Sequence, residues 1–513
     1  MEFSSEFGFR LNGEKIFLKG NANHHDLGAL GAASYDRAIE RMMLQLKSFG
    51  YNCIRCSHNP YSDSFARIAD RVGMLVVDEL TDKWSDNDYW GGRQPFTHIW
   101  HKLITEWIKR DRNRPSIILW SLGNELQIRE GWAGFEGTND WGITTYNIFN
   151  QLVKRWDNTR LTTVAMFPAR AGAITRHDKE FNDYLVPPEL ACATEVASFN
   201  YQSDKYDAYL KYKPDLILFQ SEAETSNLLQ PYYNMDRKRT VGMAYWGSAE
   251  YWGESNKWPK KGWNYSFFDH TMRPYPQAYL IKSAFMPEIP EVHIGVVDAA
   301  GAESVNWNDV IVGRMALNEC WNHTPGSRRS LFTFTNAHSV ELLVNGQSMG
   351  IQENDTTRAN LRNMIYWKDV PYGNGGSVVA IARDKSGKEV ARHRIETAGK
   401  AVALRIEAET PTDWKADGMD LQYINVTVID KKGRPVWDYN EPLTLQMEGA
   451  ARLVALDNGD HYTDELFHGI TSKRMYQGRM QIILRSDQEA GNVTVKISSA
   501  GLKGTLRLKT IKE

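Results

Sequence analysis

Short apolar runs and amphipathic helical segments take turns through residues 1–287, and the apolar runs end in polar or glycine residues. The runs expected as strands are Lys15–Lys19, Asn52–Ser57, Met74–Asp78, Ser116–Leu122, Leu161–Ala165, Val196–Asn200, Leu216–Gln220 and Val241–Trp246. Helical periodicity follows at Tyr35–Phe49, Ser62–Arg71, His98–Arg112, Trp141–Trp156 and Pro276–Phe285, with Pro115 as a stop signal. Strands separated by helices pair in parallel. Eight such units predict an α/β fold, a closed (β/α)8 TIM barrel, whose chemistry sits at the C-terminal strand ends. Those ends carry Asn21–Asp26, His58-Asn59-Pro60, Asn124-Glu125, Asn200-Tyr201, Glu222 and Trp246.

After Pro287 the helical period fades. Short alternating strands follow, at Ser330–Asn336, Glu341–Val344, Ser377–Arg383 and Glu389–Arg394, then Leu404–Glu407, Leu421–Asp430, Leu443–Gln446 and Asn492–Ser498. Turn dipeptides such as Asn345-Gly346 and Lys432-Gly433 punctuate them. The expected organisation is a catalytic barrel over 1–287 and two immunoglobulin-like β-sandwich domains over 288–399 and 400–513.

Bulk properties exclude several classes. A net charge of −2 gives nucleic acid no basic surface to grip. No apolar stretch approaches the roughly 18 residues of a membrane helix, so no membrane partner is expected. The N-terminus lacks the basic and apolar segments of a signal peptide, which leaves cytoplasm and periplasm both open. Four cysteines are too few for a disulfide framework, and Cys53 and Cys56 read as structural thiols on opposite faces of a strand. The 17 tryptophans and 23 tyrosines suit the apolar faces of sugar rings.

Two carboxylates stand out. Glu125 ends the run Ile117-Ile-Leu-Trp-Ser-Leu-Gly-Asn124, and Glu222 ends Leu216-Ile-Leu-Phe-Gln-Ser221. Burying a carboxylate is costly unless it is paired, protonated or used. Two of them converging from different strands at a barrel mouth are what glycoside hydrolysis needs. Glu224 is the rival to Glu222, but it lies beyond the strand end. A zinc site at His24-His25-Asp26 is poor, because adjacent residues rarely converge on one ion.

Several segments carry a family resemblance: Asn23-His-His-Asp-Leu-Gly-Ala-Leu-Gly-Ala-Ala33, Asn52-Cys-Ile-Arg-Cys-Ser-His-Asn-Pro60, Asn113-Arg-Pro115 through Glu125, Ser221-Glu222 and Tyr245-Trp246 with Glu250-Tyr-Trp-Gly-Glu254. The sequence resembles glycoside hydrolase family 2, particularly its β-galactosidases. The resemblance implies a retaining exo-glycosidase acting on terminal β-D-galactosides of an oligo- or polysaccharide. It makes Glu222 the nucleophile and Glu125 the acid/base, with carboxyls about 5–5.5 Å apart. By the same resemblance Asn124 holds the sugar 2-hydroxyl, His58 lines the sugar subsite and His25 and Asp26 face the sugar. Tyr201 then touches the nucleophile and Trp246 forms an aromatic floor.

No cofactor is required for that chemistry, and the sequence is silent on whether a divalent cation assists and on whether the chain forms a homo-oligomer. Family members usually carry a jelly roll and a first sandwich before the barrel, whereas here Phe7-Gly-Phe-Arg10 stands where that sandwich is expected to end. β-Glucuronidase is the nearest alternative, although Asn256-Lys-Trp-Pro-Lys-Lys-Gly-Trp-Asn264 does not reproduce its Asn-x-Lys setting. β-Mannosidase and a non-catalytic carbohydrate-binding relic stand further off.

Overall fold

The computed structural model describes residues 1–84, 94–126, 140, 142–167, 186–226, 228–255, 257–298, 303–307 and 310–512. Trp141 and Asn256 of the sequence reading lie outside the described residues. The chain folds as two compact units. One comprises Met1–His25, Met43–Ser248 and Ser304–Gly313, the other Asp26–Met42, Ala249–Glu303 and Arg314–Glu513.

The first unit is built on a closed barrel of eight strands. They are β1 (Leu18–Asn23), β2 (Cys53–Cys56), β3 (Leu75–Glu79), β4 (Ile117–Asn124), β5 (Leu161–Met166), β6 (Val196–Asn200), β7 (Leu218–Ala223) and β8 (Gly242–Trp246). All neighbours pair in parallel, and β8 closes on β1 in register from Gly242↔Leu18 to Trp246↔Ala22. The strands are mostly buried because both faces are covered, and every residue of β4 is buried. Helices Asp63–Val72, Phe96–Asp111 and Ile143–Trp156 follow β2, β3 and β4. The first of these is capped by Ser62, whose hydroxyl accepts from the Phe65 N–H, and ends at Gly73 with φ +69°.

One expected strand is displaced. The sequence pattern places the first barrel strand at Lys15–Lys19, but Glu14–Ile16 belongs to a small antiparallel sheet with Glu2–Ser4 and Gly8–Leu11. Leu11 pairs with Glu14 across Asn12-Gly13, both with positive φ, which is the two-residue hairpin that Asn-Gly favours. The barrel strand then starts at Leu18. Cys53 and Cys56 are buried free thiols.

In the second unit two pairs of four-stranded sheets form β-sandwiches. The first pairs the order Leu317–Asn318, Val292–Val297, Arg328–Thr335, Met364–Pro371 with Gln347–Glu353, Ser339–Val344, Ser377–Arg383, Glu389–Glu396. Trp321, Trp367, Leu331 and Leu342 fill its core. The second sets Ala401–Ala408, Leu421–Asp430, Arg479–Ser486, Ala451–Asp457 against Ser472–Arg474, Pro442–Gly449, Asn492–Ser499, Leu502–Lys509 around Trp414, Ile424 and Leu443. Helix Ala278–Phe285 joins this unit, where Ser283 accepts at 3.0 Å from the Asn363 amide. Among the described residues no helix is long and apolar enough to cross a membrane.

Barrel closure leaves no room at Gly242. A Cβ there would lie 2.4 Å from both the Cβ and the carbonyl oxygen of Leu18. That backbone is fixed by the β8–β1 ladder and cannot yield cheaply. Gly242→Ala is expected to lower stability by about 1–3 kcal/mol, read as a reduced urea midpoint with an unchanged slope.

Candidate active site

The carboxyl ends of β2, β3, β4, β6 and β7 deliver one connected set of polar side chains. Irregular pairing helps aim it. The β4–β5 register shifts between Ser121 and Asn124, and β7 shifts against both neighbours after Gln220. Bulges of this kind redirect side chains at strand ends. Glu125 and Tyr201 sit just past their strands with φ +50° and +60°. Such conformations cost about 1–3 kcal/mol and persist where surrounding bonds over-determine them. Here the Glu125 N–H donates to Ala165 O at 2.7 Å and the Tyr201 N–H to Glu222 O at 2.8 Å.

Arg55, wholly buried on β2, is the hub. Its Nε and Nη2 donate to Glu79 Oε2 at 3.0 and 2.7 Å, its Nη1 to Glu222 Oε1 at 2.7 Å, and its Nη2 to Asn124 Oδ1 at 3.0 Å. Glu222 receives a second bond on Oε2, from the Tyr201 hydroxyl at 2.6 Å. His58 Nδ1 lies 2.6 Å from Glu79 Oε1, and the Ser121 hydroxyl donates to Glu79 Oε2 at 2.6 Å. Burial works against the Glu79 charge, but Arg55, His58 and Ser121 together hold its carboxyl below the usual range.

The other acid is treated differently. Glu125 Oε1 accepts from Asn200 Nδ2 at 3.1 Å, and Asn200 in turn donates to Asn124 Oδ1 and accepts from Ser221 Oγ at 2.7 Å. Burial first, and then the negative charge of Glu222, push the Glu125 carboxyl up to about 8. Asn124 Nδ2 donates to Asp82 Oδ1 at 3.1 Å and faces His58 Nε2 at 3.3 Å.

Aromatic rings form a wall within the same unit. Trp246 and His58 stack at 5.2 Å with 6° between planes, and His24 meets both edge-on. The sequence reading named His25, but that ring packs on Tyr61 and Phe65, and burial lowers its pKa. The structure does not bring it to the acids; its neighbour His24 takes that direction. Asp26, in the second unit, accepts on Oδ1 from the Gly28 N–H and on Oδ2 from the Trp252 N–H. Sequence reasoning misses Glu79 and Asp82, and it marks Asn200 as a strand end without giving it a role. Glu79 ends a barrel strand, so the strand-end rule applied without exception marks it as it does Asn200. Among the described residues, the clusters with the composition of a metal site are Glu250/His270/His461 and His293/Glu319/His393, and neither includes a member of the acid set.

Two buried carboxyls, a buried arginine and stacked aromatic rings thus gather at the carboxyl end of one parallel barrel. Comparison with known proteins gives the family. Residues 5–241 match the TIM barrel domain of glycosyl hydrolases family 2, residues 404–506 match the glycoside hydrolase family 2 C-terminal domain 5, and residues 326–391 match a domain of unknown function. The chain belongs to glycoside hydrolase family 2. It is 27% identical to the β-galactosidase BoGH2A of Bacteroides ovatus over 547 aligned positions, covering 97% of this chain and 61% of that protein. A β-glucuronidase of Streptococcus agalactiae is 35% identical over 139 residues, 24% of this chain and 23% of that one. A family 2 structure from Bacteroides cellulosilyticus superposes with a TM-score of 0.86 at 28% identity, covering 100% of this chain and 64% of the other.

The raised pKa of Glu125 sets a pH dependence of stability. The folded form keeps the proton between the ordinary carboxylate value of 4.5 and about 8, while the unfolded chain loses it. Stability therefore falls as pH rises through that window and levels off above it. Glu125→Gln removes this dependence. Its melting temperature relative to the parent is expected to climb from pH 4.5 to about 8 and then hold, which calorimetry across that range checks.

Proposed function

We propose that this chain cleaves terminal β-D-galactosides by double displacement, with Glu222 as nucleophile and Glu125 as acid/base. What supports this above all is the unequal environment of the two carboxyls. Glu222 takes a hydrogen bond on each oxygen, from Arg55 and Tyr201, whereas buried Glu125 keeps its proton at neutral pH. Glu222 attacks the anomeric carbon as Glu125 gives its proton to the departing glycosidic oxygen. A glycosyl ester forms on Glu222, and its negative charge is consumed. The Coulombic part of the upward push on Glu125 then disappears, so the same group becomes a base for the incoming water. Water attacks the anomeric carbon, Glu125 takes its proton, and Glu222 leaves as carboxylate.

Asn124, locked between Arg55, Asn200 and Asp82, is the group proposed to hold the 2-hydroxyl. The stacked rings of His58 and Trp246 offer an apolar face to the sugar. None of these steps uses a cofactor. The galactoside assignment rests on the His24-His-Asp-Leu-Gly-Ala run and on likeness to a β-galactosidase.

Nitrophenyl galactoside, glucuronide and mannoside assayed side by side test the sugar; the expected turnover is on the galactoside. Glu125→Gln should cut kcat/KM about 100- to 10,000-fold on an alkyl galactoside, and far less on the nitrophenyl one, whose leaving group needs no proton. Glu222→Gln should abolish turnover of both. Activity on the glucuronide instead reassigns the substrate, and activity surviving both substitutions refutes the proposal.

A further inference from the structure

A second buried polar cluster lies outside the acid set and wholly within the second unit. Glu250 and His270 come from the segment after β8, and His461 follows the sandwich strand Ala451–Asp457. All three are buried, and their nearest ligating atoms lie within 4.8 Å of one another. His270 Nδ1 is 3.2 Å and His461 Nδ1 3.1 Å from the same oxygen, Glu250 Oε2. We propose that Glu250, His270 and His461 bind one divalent transition-metal ion of the zinc class.

Ligand atoms on a tetrahedral ion with bonds of about 2.0–2.1 Å are separated by roughly 3.3 Å, close to the two separations here. Two imidazoles and one carboxylate are a set that zinc takes. The rings of His270 and His461 are inclined by 66°, so their in-plane lone pairs can converge. The outer groups are already in place. The other oxygen of Glu250 accepts from Tyr275 at 2.8 Å and Arg314 at 3.2 Å, which fixes the carboxylate with Oε2 toward the two imidazoles. His270 Nε2 lies 2.8 Å from Asp457 Oδ1, the carboxylate–histidine pairing that orients metal ligands.

A cavity of about 20 Å³ lies beside the cluster, lined in part by Asp26, Glu250, His270 and Asp457. It has room for a single water, and buried Asp457 Oδ2 has no protein partner to compete for one. The cluster His293/Glu319/His393 fits less well. Its imidazoles stack at 3.9 Å with 22° between planes, so their lone pairs run side by side, and His393 Nδ1 accepts from the Ile294 N–H. The ion's role is structural: it ties the segment after β8 to the terminal sandwich.

The test uses the full chain, free of any polyhistidine tag, stripped with chelator and re-equilibrated with zinc. One zinc per chain by mass spectrometry, a raised melting temperature and a tetrahedral visible spectrum with cobalt(II) are expected. His461→Ala should lose all three and His393→Ala none, and Asp457→Asn should weaken zinc binding about 10- to 100-fold. Should His461→Ala fail to fold, the cobalt spectrum of the unaltered chain decides. A stripped chain that takes up no zinc, leaving a protonated His270 between its two carboxylates, overturns the proposal. So does zinc that persists in folded His461→Ala or disappears in His393→Ala.

Discussion

One guanidinium organises the barrel's chemistry. Arg55 is fully buried, and burying an isolated charge is prohibitive. It is tolerated because Glu79 and Glu222 come to it from β3 and β7, and Asn124 from β4. The planar fork reaches three directions at once, which a lysine ammonium could not do with the same fixed geometry. Glu79 comes from the strand paired directly with β2, but Glu222 comes from β7 and meets Arg55 across the ring, so the full set of charges is satisfied only when the barrel closes. Local chemistry and barrel closure are the same requirement seen at two scales.

From that arrangement the asymmetry of the two acids follows. Arg55 is committed to Glu79 and Glu222, and Glu125 receives instead the neutral amide of Asn200. A neutral donor offsets little of the desolvation, and the nearby charge on Glu222 adds to it, so Glu125 holds its proton. The Asn200 amide also bonds Asn124, and its carbonyl takes the Ser221 hydroxyl beside Glu222. One side chain thus spans both halves of the site.

Much of this was legible in the sequence. Apolar runs ending in Asn124-Glu125 and Ser221-Glu222 located both acids, because buried carboxylates at strand ends are physically conspicuous. The displaced first strand was also readable, since Asn12-Gly13 is a hairpin signal. His25 against His24 was not, because adjacent residues differ only in which way a strand end turns, and that depends on packing against Tyr61 and Phe65. Register shifts on β4 and β7 leave no mark in composition. In the first sandwich Gln347–Glu353 went unread because it is exposed along its whole length, an edge strand without alternation.

The same rule about buried charge governs the second unit, with a different solution. Glu250 is buried among Tyr275, Arg314, His270 and His461. Two of its partners, Tyr275 and His270, lie within the segment after β8, and His461 is supplied by the terminal sandwich. Asp457, from that sandwich too, faces His270. Cutting the chain near Gly399 would strip His461 and Asp457 from this cluster and leave Glu250 and His270 with part of their shell. A terminal sandwich that completes a buried ionic cluster cannot be a passive appendage. Its removal exposes a desolvation penalty in residues that the sequence alone assigns to the barrel.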